Sequence, residues 1–245
     1  MIRVETADRV RTVTLDRADK RNALTPTMLG ELAAAFAIAD NSGAVLVRGE
    51  GRVFCAGFDL DLCKDDPDDQ PTMRALLQEL SRALRAMRAC PVPVVLAAHG
   101  AAIAGGCALL GGADLVVSDR DAKLGYPVVR LGVSPAVSAP LLRLGVGDGA
   151  ARRLLLDPGL TIGERAHTLG LVHELVESRE QVGPCAHELA KSLASRPEGG
   201  MIATKRWLNE IDGGTDDALD AGLAASLSLI GGEEANRMLQ EVWNA

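Results

Sequence analysis

The sequence predicts an α/β fold with parallel strands in one large domain. Short runs of β-branched and aliphatic residues alternate with longer segments of helical periodicity, the pattern of an α/β core with parallel pairing. The chain has 245 residues, which is enough for one domain with a substantial core. Hydrophobic residues make up 47% of it, with 26 glycines but only six aromatic residues. This small-residue composition favours close backbone packing and buried surfaces between subunits.

The first half of the chain contains two predicted strands and two predicted helices. Val10–Leu15 alternates like a strand, and Ala44–Val47 is a short buried strand. Thr25-Pro26 predicts a helix start, because the hydroxyl can cap the first turn and proline lacks only an N–H that has no partner there. We expect this helix to end near Asn41, with one apolar face (Met28, Leu29, Leu32, Phe36 and Ala39). Apolar residues at helical spacing predict a second helix after the acidic loop 65–71 (Met73, Leu76, Leu77, Leu80, Leu84 and Met87).

The longest uncharged run, residues 91–113, is long enough to span a membrane but contains His99 and five glycines. We interpret it as a buried strand over 92–98, a glycine turn, and a helix beginning near Cys107. Leu115–Val117 predicts the next strand. From Pro140 onward the pattern is mainly helical, with two or three helices in the C-terminal segment.

Charge and cysteine usage exclude several classes of protein. The net charge of −7 argues against a non-specific nucleic-acid binder or an anionic-membrane binder. The five cysteines contain no CxxC pair, and an odd number cannot all pair within one chain. No secretory signal peptide is visible, and the histidines of the second half have no metal-ligand spacing on what we interpret as surface helices (His167, His173 and His187). We therefore expect a reduced, soluble, cytoplasmic protein that needs no metal.

Two glycine-bearing turns are the candidates for chemistry, FCAGFDL at 54–60 and GAAIAGGC at 100–107. The second follows a strand and opens a helix, where first-turn N–H groups lack partners and the helix dipole adds partial positive charge. Because glycine lets a ligand oxygen approach the backbone, two such turns facing each other would direct two N–H donors at one oxyanion. The alternative is that these glycines only serve tight turns. Neither turn reads GxGxxG and no P-loop is present, which disfavours a nucleotide-binding fold.

Considered together, five segments resemble the crotonase (enoyl-CoA hydratase/isomerase) superfamily. They occur in the family's order along most of the chain (Leu15–Leu24, Gly51–Leu60, Pro93–Cys107, Gly170–Val172 and Ala203–Arg206). The resemblance implies a crotonase-like spiral of ββα units over residues 1–190 and a C-terminal helical trimerisation region over 191–245. It also implies a homotrimer or a dimer of trimers, and a role in acyl-CoA chemistry such as fatty acid metabolism.

The resemblance implies that the chain binds a CoA thioester and uses no metal or other cofactor. The thioester oxygen would lie between the backbone N–H groups of Phe58 and Gly105, an oxyanion hole that stabilises an enolate. Further contacts to the acyl-CoA would come from the first glycine turn and the residue after it (Ala56, Asp59, Leu60 and Asp61) and from the Leu15–Leu24 loop (Ala23). Lys20 and Arg21 are candidates for the CoA phosphates, and a solvated surface pair is the alternative. For Asp59 and Asp61 the alternative is a pair of solvated loop acids.

The sequence departs from the family at its acid/base positions. Hydratases of the family have one glutamate where this chain has Ala108 and a second where it has Val128. Certain isomerases use an aspartate where it has Ala136. Proton transfer by a positioned side chain contributes roughly 10²–10⁴-fold to a rate, so we expect a poor hydratase. The alternative is an acyl-CoA-binding protein without turnover.

Few other residues could replace the missing carboxylates. Tyr126 lies beside the expected catalytic segment and could orient an acyl group or a departing carboxylate. His99 precedes the glycine turn, where a structural role at the strand end is the more ordinary one. Ser134 and Ser138 with His99 would suggest a hydrolase, but the sequence contains no GxSxG.

Overall fold

A computed structural model describes residues 1–38, 40–157, 159–213 and 215–244. The described strands are β1 (Ile2–Ala7), β2 (Val10–Leu15), β3 (Ala44–Gly49), β4 (Val94–Ala98), β5 (Ala101–Ile103), β6 (Leu115–Asp119), β7 (Lys123–Gly125), β8 (Leu160–Ile162) and β9 (Glu174–Val176). Six of them form one sheet in the order β1-β2-β3-β4-β6-β9, in which β1 is antiparallel to β2 and the other pairs are parallel. The remaining three form a small sheet in the order β5-β7-β8. The predicted α/β class with parallel pairing is confirmed.

The helices cover both faces of the main sheet. They are α1 (Pro26–Ala35), α2 (Pro71–Ala89), α3 (Gly105–Gly112), α4 (Ala139–Leu156), α5 (Gly163–Thr168), α6 (Arg179–Ala194), α7 (Glu198–Ile211), α8 (Thr215–Leu227) and α9 (Glu233–Trp243). One apolar core joins α1, α2, α3 and α4 to the sheet, and a second lies between α6 and the opposite face of β2, β3, β4 and β6. Because β4 is covered on both faces, all five of its residues are buried and apolar.

The start of α1 agrees with its prediction, and its end does not. The Thr25 hydroxyl accepts a hydrogen bond from Met28 N–H at 3.1 Å, as a cap should. The helix ends at Ala35 rather than near Asn41: the next two N–H groups bond three residues back, Phe36 to Ala33 and Ala37 to Ala34, and the Arg11 side chain of β2 donates to the Ala35 carbonyl at 3.0 Å. Ala39, predicted on the same helical face, lies outside the described residues.

The hairpin of β1 and β2 is the main element that the sequence analysis missed. Five of the six residues of β1 are exposed, so no apolar run marks the strand. The hairpin is closed by a two-residue turn, in which Asp8 and Arg9 have φ values of 50° and 63°. This turn pairs β1 with β2 at the edge of the sheet.

The uncharged run 91–113 contains the predicted strand (β4), glycine turn and helix (α3), and the turn also includes the short strand β5, which was not predicted. Among the described residues, no helix has both the length and the apolar character needed to cross a bilayer. The predicted helical C-terminal segment is also confirmed, since α7, α8 and α9 follow α6, which itself crosses residue 190.

Candidate active site

The first glycine turn places a free backbone donor beside the core. Gly57 has a φ of +100°, which favours glycine. The Leu24 N–H donates to the Gly57 carbonyl at 2.7 Å, and the Asp59 N–H donates to the Leu24 carbonyl at 2.9 Å. These bonds fix both neighbours of Phe58, whose own N–H donates to no acceptor in the described part of the chain. That N–H is therefore available to a ligand.

The second glycine turn supplies another free donor at the start of α3. The Gly105 N–H belongs to the first helical turn and has no acceptor among residues 1–38, 40–157, 159–213 and 215–244. Ala104 precedes it with a φ of +50°, a conformation that costs energy for a residue with a Cβ. The Ala104 N–H donates to the Gly125 carbonyl at 2.8 Å, which holds this conformation in place.

Glycine at two positions lets the two turns touch. A Cβ on Gly105 would lie 2.8 Å from Cε1 of the Phe58 ring, and a Cβ on Gly106 would lie 2.7 Å from Cβ of Cys55. Cys55 also forms an isolated parallel bridge with Ala102 of β5. The structure thus brings the two turns that the sequence singled out into direct contact.

Phe58 and Gly105 line the same cavity of about 200 Å³. Its other walls come from the turns, from α2 and from the segment 127–138 (Ala56, Leu60, Met73, Leu77, Leu80, Ile103, Ala104, Pro127, Val128, Leu131, Val133, Ser134, Pro135, Val137 and Ser138). All of these side chains except the two serines are apolar. The cavity suits an apolar chain whose polar end accepts hydrogen bonds from the two free N–H groups.

None of the described residues that line the cavity has a titratable side chain. Val128, at one of the positions where the resemblance places a hydratase glutamate, lines the cavity. Ala108 is buried on α3, and Ala136 lies in the short 3₁₀ helix at 135–138.

Polar contacts behind the cavity hold the first turn in place. Arg17 Nη1 lies 2.6 Å from the Asp59 carboxylate and donates to the Ala23 carbonyl at 3.0 Å. Asn22 is fully buried, and its side-chain amide donates to three backbone carbonyls of the segment 50–54 at 2.8–3.1 Å. Arg17 and Asn22 lie within the Leu15–Leu24 segment, and the sequence alone did not indicate this role for either residue. The sequence feature that could have indicated it is a cationic and an amide side chain in the loop just before the apolar pair Ala23-Leu24.

The candidate acyl-CoA contacts fall into two groups. Ala56 and Leu60 line the cavity with Phe58 and Gly105, whereas Asp59 is only 6% exposed and paired with Arg17. The alternative that Asp59 is a solvated acid on a loop is therefore wrong.

Outside the cavity, Lys20 Nζ lies 3.4 Å from the exposed Asp61 carboxylate. Arg21 is exposed, and Ala23 is half-buried beside it. The two basic residues lie on the surface of the loop that Asn22 ties to the first turn.

Tyr126 does not line the cavity. Its side chain is 1% exposed, and its hydroxyl donates to the Cys107 carbonyl of α3 at 3.1 Å. Burial raises the pKa of this phenol well above its ordinary value, and burial also raises the pKa of the neighbouring Cys107 thiol to about 12. In this structure Tyr126 supports the helix that carries Gly105.

The histidines make structural contacts. A ring nitrogen of His99, Nε2, lies 3.1 Å from the Gly51 carbonyl, at the strand end. His173 precedes β9 rather than lying on a helix, and its Nδ1 accepts from the Val116 N–H at 2.9 Å. No group of three or more His, Cys, Asp or Glu side chains suited to a metal ion occurs in the part of the chain that the structure describes.

Comparison with known proteins agrees with the fold. The family model for enoyl-CoA hydratase/isomerase matches residues 5–238. A putative enoyl-CoA hydratase of Thermus thermophilus is 34% identical over 218 residues, 87% of this chain and 85% of the relative. A 1,2-epoxyphenylacetyl-CoA isomerase of Escherichia coli is 30% identical over 85% of this chain and 81% of the relative. The crystal structure of an enoyl-CoA hydratase/isomerase from Xanthobacter autotrophicus Py2 superposes with a TM-score of 0.88 at 29% identity, covering 99% of this chain and 93% of that one.

The α/β structure has the crotonase fold of the solved structures that it matches. The chain belongs to the enoyl-CoA hydratase/isomerase family. The resemblance found in the sequence is thereby confirmed over nearly the whole chain.

Proposed function

We propose that this protein binds an acyl-CoA thioester and stabilises its enolate through the backbone N–H groups of Phe58 and Gly105. The observation that carries the proposal is that these two N–H groups are free and that both residues line one apolar cavity. Preorganised backbone donors at such a site stabilise the negative charge that develops on a thioester oxygen. Relatives named for CoA esters, the hydratase of Thermus thermophilus and the isomerase of Escherichia coli, support a CoA thioester as the ligand.

The CoA phosphates would lie near Lys20 and Arg21. Both side chains are exposed on the loop that Asn22 ties to the first glycine turn. A phosphate can displace Asp61 from Lys20, because an exposed ion pair contributes only about 0–1 kcal/mol. The same loop would contribute backbone contacts at Ala23.

The acid/base chemistry of an ordinary hydratase is absent from the proposed site. Its two glutamates would correspond to Ala108 and Val128, and an isomerase aspartate would correspond to Ala136. In place of carboxylates the cavity has aliphatic walls. We therefore propose that proton transfer to or from the enolate involves water or the substrate itself, which makes the protein a poor hydratase.

A second function, acyl-CoA binding without turnover, is favoured by the same aliphatic walls. Such a protein would hold the thioester or hand it to another enzyme. The five cysteines are free, which fits the cytoplasmic location proposed for either function.

Isothermal titration calorimetry with acetyl-, crotonyl- and long-chain acyl-CoA tests the binding that both functions require. We expect a dissociation constant between about 1 μM and 1 mM, the range of metabolic sites. Absence of heat and of any thermal shift with all three ligands would contradict the proposal.

Exchange of the α-hydrogens of bound acyl-CoA in D₂O, followed by NMR, separates the two functions. Enolate stabilisation predicts exchange faster than in free acyl-CoA. Binding without turnover predicts protection of the same hydrogens.

A further inference from the structure

Ser138 carries a buried hydroxyl without a partner in the wall of the cavity. The residue is 5% exposed, and its Oγ makes no hydrogen bond to any residue that the structure describes. Three other described residues have a side-chain oxygen that lacks both a hydrogen-bond partner and accessible surface (Gln70, Ser81 and Asn236). The Ser138 oxygen is not among them, so it keeps some accessible surface, and the space that this residue borders is the cavity. Its hydroxyl is therefore open to a ligand there.

The segment that carries Ser138 is held rigidly. The Ser134 hydroxyl accepts from the Ala136 N–H at 3.2 Å. From α8, the fully buried Ser226 hydroxyl accepts from the Val137 N–H at 3.0 Å and donates to the Ser134 carbonyl at 2.9 Å. These contacts fix the backbone that carries Ser138, so its side chain starts from one defined position in the cavity wall.

Close packing of α8 adds to this rigidity. Gly222 brings the helix so near to the segment that a Cβ on it would lie 2.5 Å from the Ala136 carbonyl oxygen. The wall that carries Ser138 therefore cannot move outward without displacing α8.

The chemistry of the cavity selects which ligand group this hydroxyl can serve. Ser134 and Ser138 are its two polar side chains, and the Ser134 oxygen already accepts a backbone bond. The lining contains no Lys, Arg or His. A carboxylate buried there would have no charge partner, which is costly. A neutral oxygen satisfies the Ser138 hydroxyl without that penalty.

We infer that Ser138 is a specificity-determining residue that hydrogen-bonds a neutral oxygen, a hydroxyl or a keto group, on the acyl chain of the bound acyl-CoA. This inference rests on the proposed function, because the thioester end of the same ligand occupies the N–H groups of Phe58 and Gly105. It assigns the substrate class as acyl-CoA with an uncharged oxygenated chain. A fully apolar chain would leave the hydroxyl unpaired and would bind more weakly.

The test compares dissociation constants for hexanoyl-CoA with those for 3-hydroxy-, 3-oxo- and 5-hydroxyhexanoyl-CoA. The wild type should bind at least one oxygenated probe about tenfold more tightly than hexanoyl-CoA, which corresponds to about 1.4 kcal/mol. In Ser138→Ala the preference should fall to within twofold. Ser138→Gly also removes the hydroxyl and repeats the test if the alanine variant does not fold.

Ser81→Ala is the matched control. Its hydroxyl is also buried and unpartnered, but the residue lies on α2 and does not line the cavity. This variant should keep the full preference.

The outcomes separate this inference from the proposed function. Equal binding of hexanoyl-CoA and every oxygenated probe, or a preference that survives in Ser138→Ala, would overturn the role of Ser138 and leave acyl-CoA binding intact. Failure of all four probes to bind would overturn both.

Discussion

The ion pair between Arg17 and Asp59 fixes one wall of the proposed oxyanion hole. Its atoms are 2.6 Å apart, and Asp59 directly follows Phe58. The Asp59 N–H is also used, in its bond to the Leu24 carbonyl. Both the side chain and the backbone of Asp59 therefore restrain the orientation of the Phe58 peptide.

We predict that Asp59→Asn lowers the free energy of unfolding by about 1.5–3 kcal/mol, the range for hydrogen bonds to charged groups. The neutral amide leaves Arg17 without its counter-charge in a largely buried position. Asp61→Asn is the control, because its pair with Lys20 is exposed, and the change there should stay within about 1 kcal/mol. Urea unfolding of both variants measures the difference, and equal losses would contradict the role given to Asp59.

At the scale of single residues, the sequence pointed to the candidate backbone donors but not to the side chains that hold them in place. Phe58 and Gly105 occur in glycine turns that can be found from the order of the family's motifs along the chain. The partner of Asp59 could not be read, because Arg17 is 42 positions away and only the tertiary fold brings them together. For Tyr126, proximity in sequence to the expected catalytic segment suggested the cavity, whereas the fold turns its hydroxyl toward Cys107.

The contact between the two glycine turns is the feature that defines the site at the level of elements. Gly105 of α3 lies against the Phe58 ring, and Gly106 lies against Cys55. Either turn alone has an ordinary structural explanation. Their contact gives two free donors a common cavity.

Gly105→Ala should weaken acyl-CoA binding at least tenfold. The added Cβ would lie 2.8 Å from the Phe58 ring, so the ring or the turn must move and the two N–H groups lose their common geometry. Gly183→Ala on α6 is the control, since a Cβ there meets nothing within 4 Å. Calorimetry with acetyl-CoA and a thermal melt of each variant measure binding and folding separately. Unchanged affinity in a folded Gly105→Ala would contradict the site.

Elements with strong apolar periodicity were predicted, and elements without it were missed. The apolar spacing from Met73 to Met87 falls within α2, and the run 92–98 contains β4. The strand β1 is mostly exposed, and the strands β5, β7 and β8 have three residues each, which is too short for a periodic pattern to show. Their pairing depends on tertiary contacts such as the bond from the Ala104 N–H to the Gly125 carbonyl.

The outer helices of the whole molecule leave large apolar side chains exposed. On α7, Trp207, Leu208 and Ile211 are 61%, 53% and 57% exposed, and Leu144 on α4 is 46% exposed. Exposed apolar clusters of this kind mark interaction surfaces.

We propose that these faces are covered in a homotrimer or a dimer of trimers. Light scattering at micromolar concentration should give about three or six times the chain mass of 25.6 kDa. Ile211→Asp places a charge on the apolar face and should shift the protein toward monomer, whereas Arg206→Ala on the same helix should not. A wild-type monomer would contradict the proposal.

The central claim is that the molecule has the acyl-CoA site of its family without side chains for proton transfer. The most direct test is the turnover number for hydration of crotonyl-CoA by the wild-type protein, measured together with crotonyl-CoA binding. Loss of two acid/base groups predicts binding with a turnover at least about 10⁴-fold below the 1–10³ s⁻¹ of ordinary enzymes. A turnover within tenfold of that range would contradict the claim and would show that a side chain supplies the proton.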